Sequence, residues 1–148
     1  MVTDQDLGWN TIMREIRNMD GMEVSAGILR DSGNSSKGPS YVDIATWNEY
    51  GTRRIPSRPF VRIASDDNRK AWGDLAERCV GRVISRSMSK AQVGEAMGER
   101  MKEDIQKVFG DKSKLVPNAP STIRRKGHDK PLIDTGKLKS VTNYRIDG

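Results

Sequence analysis

The stretch ASDDNRKAWGDLAERCVGRVISRSMSKAQVGEAMGERMKEDIQKVFG, Ala64 to Gly110, decides the fold. Its first half, Ala64 to about Arg86, sets Ala71, Trp72, Leu75, Cys79, Val83 and Ile84 on one stripe at helical spacing. Ser89 then opens a capping box with Gln92, in which each side chain accepts the other residue's backbone N–H. From there Val93, Met97, Met101, Ile105 and Val108 follow one face until Gly110 stops the helix. The break at Ser87-Met88-Ser89 is short, so the spacing predicts two long antiparallel helices.

Upstream, Thr3 to Asp20 carries Leu7, Trp9, Ile12, Met13, Ile16 and Met19 at three- and four-residue steps. This reads as an amphipathic helix, capped by Thr3 or Asp4 and ended by Gly21. Val24, Ala26 and Ile28 alternate with Glu23, Ser25 and Gly27, the period of a half-buried strand. Residues 31–40 (DSGNSSKGPS) are dense in turn formers and read as an exposed loop. Tyr41 to Tyr50 has a helical pattern in Tyr41, Ile44, Ala45 and Asn48, with Gly51 where a left-handed cap belongs. Pro56 and Pro59 then keep Thr52 to Phe60 extended.

Downstream, residues 111–131 read as exposed loop, with three prolines and a basic cluster between Leu115 and Pro131. A tight structural turn follows at Asp134, Thr135 and Gly136. Leu132, Ile133 and Leu138 pin it to the core, and Asp134 or Thr135 is expected to accept hydrogen bonds from the amides after it. Tyr144 and Ile146 mark one face of a last strand. The order predicts a single α+β domain over residues 1–148: a small antiparallel sheet packed against two long antiparallel helices, with an extended interface loop and a long basic loop. Two strands alone are marginal in water. Either the loop flanking Ser25 supplies a hairpin partner, or strands of other subunits complete the sheet.

Composition narrows the function. Charged residues make up 31% and aromatics only 5%, so the core is expected to be thin, and the chain either to tolerate marginal stability or to borrow buried area from neighbouring subunits. No apolar run is long enough to span a bilayer, and the polar start, with Asp4 and Asp6, does not read as a secretory signal. One cysteine, Cys79, forms neither an internal disulfide nor a zinc site, which points to a reducing cytoplasm or export without a secretion pathway. The net charge of +6 resides in Lys112 to Gly148, while the rest of the chain is balanced. Such a segment suits nucleic acid, an acidic partner surface, or water.

Catalytic sets are missing. The single histidine, His128, sits in a polar loop and reads as solvated, without metal-ligand partners. No GxSxG turn accompanies it, and Gly136-Lys137 is followed by Leu138 where a phosphate loop needs Ser or Thr. Cys79 falls on an apolar helix stripe and reads as a buried thiol. Glu99 and Glu103, interleaved by Arg100 and Lys102, read as a solvated face. The sequence argues against an enzyme, and it calls for no metal or cofactor.

The least bland stretch is WNEYGTRRIPSRPFVR, Trp47 to Arg62. Aromatic and arginine side chains on a proline-stiffened backbone fit a protein interface. They also fit phosphate contacts with stacking, or a loop that Ile55 and Phe60 merely anchor while its arginines face water. The interface reading rests on Trp47, Tyr50, Arg53, Arg54, Ile55, Arg58 and Phe60. A second basic group, Arg124, Arg125, Lys126 and Lys130, reads as a partner-docking loop.

Asn48-Glu49-Tyr50-Gly51-Thr52, then Ile55-Pro56-Ser57-Arg58-Pro59-Phe60, a long helix, Ser121-Thr122, Arg125-Lys126-Gly127 and Pro131-Leu132-Ile133-Asp134-Thr135-Gly136-Lys137-Leu138 follow one another in this order. In that order and spacing the chain resembles the tail-completion (virion-morphogenesis, head–tail joining) proteins of tailed bacteriophages, from about Thr46 to Tyr144. Tyr50 stands where Phe is commoner in the family, and Val141-Thr142 stands where Ser-Ile is expected. The resemblance implies a small α+β subunit in a homo-oligomeric ring of six. The ring would lie at the head-proximal end of the tail, in the tail or neck of a virion assembled in the host cytoplasm. It would terminate the tail tube and meet the head connector, with phage DNA passing its lumen and no membrane involved. Ring closure requires heterologous contacts whose rotation returns to the start.

On this reading the Gly51-to-Phe60 loop reaches a neighbouring subunit or the tube, with Phe60 anchoring its end. The Lys112-to-Lys130 segment is expected to be disordered in the free subunit and to order on an acidic partner. A basic nucleic-acid-binding protein is the alternative, although no recognition-helix, RNP or zinc-finger pattern is present. A cytoplasmic enzyme with its site between subunits is a third reading.

Overall fold

The computed structural model describes residues 8–36 and 38–148. The proposed caps Thr3 and Asp4, together with Leu7, lie outside them. In chain order the elements are α1 (Trp9–Asn18), β1 (Glu23–Ile28), α2 (Tyr41–Tyr50), α3 (Phe60–Ile84), α4 (Lys90–Val108), α5 (Pro120–Lys126), α6 (Lys137–Ser140) and β2 (Thr142–Asp147). A single 3-10 turn over Arg30–Ser32 follows β1. The fold is α+β, with a small antiparallel two-stranded sheet and two long helices.

The helix pair forms as its sequence dictates. Ser89 Oγ accepts from Gln92 N at 3.3 Å, and Gln92 Oε1 accepts from Ser89 N at 2.8 Å, completing the capping box of α4. α3 begins earlier than the spacing of apolar residues indicates, at Phe60 rather than Ala64. Pro59, at its N-cap, offers no side-chain acceptor. The acceptor comes from α2 instead: the Glu49 carboxylate takes Val61 N and Arg62 N, both at 3.0 Å. An anion thus sits on the positive end of the helix macrodipole. Ile84 departs from the expected buried stripe and is 43% exposed, because α3 ends there and turns away.

β1 and β2, distant in sequence, pair antiparallel from Glu23↔Asp147 to Ile28↔Thr142. Among the described residues, no hairpin partner for β1 comes from the loop beside it. The sheet lies on α4, and two glycines allow the close approach. A Cβ at Gly94 would meet Ile146 Cδ1 at 2.8 Å, and one at Gly98 would overlap the Tyr144 ring. Ile146 and Tyr144, the apolar face of β2, therefore rest directly on the α4 backbone.

The apolar interior has two parts. Ala45, Phe60, Ala64, Ile105, Val108, Phe109 and Leu115 form one cluster, onto which Ile28, Leu132, Ile133 and Leu138 pack. Phe60 is fully buried, and its ring centre lies 4.8 Å from that of Phe109. At the other end of the helix pair Cys79, Val83 and Val93 form a smaller cluster, rimmed by Met19, Met22, Met88 and Met97. Cys79 is buried there, as its position on the stripe implied. Between the two, Asp104 on α4 is 3% exposed and accepts from Trp72 Nε1 on α3 at 2.9 Å, Arg100 Nε at 2.7 Å and Lys107 Nζ at 3.0 Å.

Two expectations downstream of α4 are corrected. Residues 111–131 are not a continuous exposed loop. Pro120 starts α5 as its first residue, where its missing N–H costs nothing, and Gly127 ends it with φ 78° and ψ 4°. Leu115 is 3% exposed and Pro131 is fully buried, so apolar pegs at both ends anchor this segment to the core. The turn at residues 134–136 does not lead straight into the last strand but into α6, opened by Gly136 at φ 79° with no side-chain cap. Asp134 and Thr135 are exposed rather than capping, whereas Leu132, Ile133 and Leu138 pack on the core as expected.

Candidate functional site: a basic cleft and an aromatic edge

The Trp47–Arg62 stretch divides at Pro56. In its second half Arg58 and Phe60 turn inward. Arg58 is 9% exposed, with Nε donating to Val116 O at 2.8 Å and Nη2 donating to Pro117 O at 2.9 Å and Asn118 Oδ1 at 3.4 Å. Its planar fork satisfies backbone carbonyls that have no sheet or helix to satisfy them. Burial lowers the Arg58 pKa from its ordinary value. Arg58 and Phe60 were expected at a partner interface; both are instead part of the fold, because the carbonyls of residues 116–117 and the Phe109 ring claim them.

The first half stays outside. Tyr50 is 74% exposed and Trp47 40%, Arg53 and Arg54 are exposed, and Ile55 is half-buried. The backbone beneath them is fixed. Thr52 N donates to Ile55 O at 2.8 Å, Thr52 Oγ1 accepts from Ile55 N at 3.0 Å, and Ser57 Oγ donates to Glu49 O at 2.9 Å. Gly51 has φ 78° and ψ 168°, a positive-φ turn but not the left-handed helical cap expected. Its Cβ position lies 3.0 Å from Ser57 N, so a side chain there would collide with backbone. The result is a rigid loop presenting aromatic and cationic groups to water.

Behind this loop lies a cleft of about 620 Å³ between α2, α5 and the 132–138 turn. Arg58, Arg125, Lys126 and Lys137 line it, with Asp134 as the opposing charge. Burial lowers the Lys126 pKa. Nearby Asp134 opposes that change, and the positive charges of Arg58 and Arg125 reinforce it. Lys126 Nζ also donates to Lys130 O at 3.2 Å. Asn118 Nδ2, in the same wall, is buried without a hydrogen-bond partner among the described residues.

Of the expected docking group, Arg125 and Lys126 face the cleft, whereas Arg124 and Lys130 are exposed outside it. Lys112 and Lys114 are held in ion pairs with Asp129 and Asp67, so the basic segment is not one free cationic stripe. His128 Nδ1 accepts from Lys130 N at 3.3 Å and braces the local turn. Glu49 and Lys137 stand inside the sequence blocks quoted above, but neither they nor Asn118 carried an expected role at the site. Pro120 followed seven residues later by Gly127 could have revealed α5 and hence the face that carries Arg125 and Lys126.

Among the described residues no group of three His, Cys, Asp or Glu side chains is placed to hold a metal. No helix there is long and apolar enough to cross a membrane. Compared with protein-family models, with curated proteins and with solved structures, the chain matches none.

Proposed function

We propose that the chain is a structural assembly subunit of a tailed phage. It would form a ring with copies of itself at the head-proximal end of the tail, terminating the tube and joining it to the head connector. The observation that supports this reading best is the two-stranded sheet, in which each strand keeps one edge unpaired among the described residues. Open edges carry backbone donors and acceptors that another chain's strand can complete, and natural proteins seldom leave them bare without a use. The exposed Trp47, Tyr50, Arg53 and Arg54 on a rigid loop supply the residue types enriched in protein interfaces. The ordered sequence blocks described above give the reading its viral setting.

The test uses Tyr50→Ala combined with Arg54→Glu. Both side chains are exposed, so stability should change by less than about 0.5 kcal/mol. The expected outcome is a normally folded protein that no longer enters tailed particles. Normal incorporation of this variant would remove the aromatic edge from the interface.

A further inference from the structure

We propose that the cleft between α2, α5 and the 132–138 turn is a receptor for an acidic segment of another polypeptide, with a carboxylate seated among Arg58, Arg125, Lys126 and Lys137. The proposal rests on the assembly reading only in taking the occupant to be a protein; the cleft's chemistry stands without the ring.

Four observations support it. Among the described residues the lining charges are unbalanced, four cations against Asp134. In a partly desolvated cleft such an excess is strained, and an entering anion relieves it. The Arg58 guanidinium is locked from behind through Nε and Nη2, while Nη1 has no hydrogen-bond partner among the described residues. A preorganised donor loses little freedom on binding. Asn118 Nδ2 is a buried donor left unused, and turning its amide toward the cleft would give it an acceptor. Finally, Ile44, Leu132 and Leu138 add apolar wall beside the cations, suited to a side chain next to the carboxylate.

The same lining argues against a nucleic-acid strand. Among the described residues Tyr41 is the single aromatic in the wall, too little to stack successive bases. The Asp134 carboxylate repels a chain of phosphates more than it repels one carboxylate.

The probe is a short capped peptide of alternating Glu and Leu, titrated into the isolated full chain by calorimetry and by NMR of side-chain amides. Its Gln–Leu counterpart, inorganic phosphate and a single-stranded oligonucleotide are run beside it. The Glu–Leu peptide is expected to bind and to shift the Asn118 amide resonance. Its Gln–Leu counterpart is expected to bind at least about tenfold more weakly. Arg125→Gln with Lys137→Gln should weaken the Glu–Leu peptide by a similar factor while leaving the thermal midpoint unchanged. Equal binding of the two peptides, binding unaffected by the double variant, a preference for phosphate or for the oligonucleotide, or no binding at all would each overturn the proposal. Because the titration uses unassembled protein, it succeeds or fails independently of whether the chain forms a ring.

Discussion

The two ends of the α3–α4 pair are built differently. At the Phe60 end α2 through Ala45, residues 109–115 and the 131–138 turn close over the helices. Aromatic and branched side chains interlock there, and both the cleft and the aromatic edge are mounted on that base. At the Val83 end, among the described residues, α1, a rim of methionines and Ile146 of β2 on Gly94 cover the pair. α1 has no buried residue, and Trp9 (65%), Val80 (38%) and Ile84 (43%) keep large exposures. Methionine fills gaps without fixing them. Recognition surfaces need a rigid support, and the chain provides one at a single end. The other end, among the described residues, leaves Trp9, Val80 and Ile84 open to water.

Truncation should expose this asymmetry most strongly. Phe60→Ala is expected to cost about 3–5 kcal/mol in urea unfolding, because it removes a fully buried ring and its contact with Phe109. Val83→Ala, at the methionine-rimmed end, should cost about half as much, since flexible neighbours collapse into the gap. Equal costs would break the comparison.

Gly98→Ala tests whether the sheet truly rests on the α4 backbone. The added methyl would overlap the Tyr144 ring and push β2 away, a loss of about 1–3 kcal/mol despite the better helix propensity of alanine. A stabilised variant would show that the strand has room to move.

Smaller again is the effect expected at Asp104, which ties the helices together midway between the two ends. Burial alone would raise its pKa, but hydrogen bonds from Arg100, Trp72 and Lys107 outweigh it and lower the value. A carboxyl held lower in the folded state stabilises fully above its unfolded pKa of about 4 and loses that contribution as pH falls through the folded value. Asp104→Asn should therefore destabilise by about 1–2 kcal/mol at neutral pH and by less under acid, as read from thermal midpoints across pH. A constant deficit at all pH values would mean that shape rather than charge ties the helices.

The parts of this fold legible in the sequence are the local ones. The Ser89–Gln92 box, the alternation of Val24, Ala26 and Ile28, and the apolar face of Tyr144 and Ile146 each depend on neighbours a few residues away. What escaped is long-range. Nothing near Pro59 reveals that Glu49 starts α3, and nothing near Arg58 reveals that the carbonyls of 116 and 117 await it. Arg58 therefore reads as an interface group although the fold consumes it, and Phe60 takes the alternative role of a core anchor, while Trp47, Tyr50, Arg53 and Arg54 are exposed. α5 was obscured by weighting prolines as breakers, when Pro120 occupies the one helical position that favours it. Gly94 and Gly98 gave no signal because a glycine's purpose here is the side chain it admits from another element.

The central claim is that a single copy is an unfinished object whose open sheet edges and exposed aromatic loop are completed by siblings around a tube. Electron cryo-microscopy of tailed particles from cells that make this chain, with its copies counted, tests that most directly. The account predicts a closed ring at the head-proximal end of the tail, with Tyr50 and Arg54 of each copy against a neighbour. Intact particles containing none of this chain would contradict it.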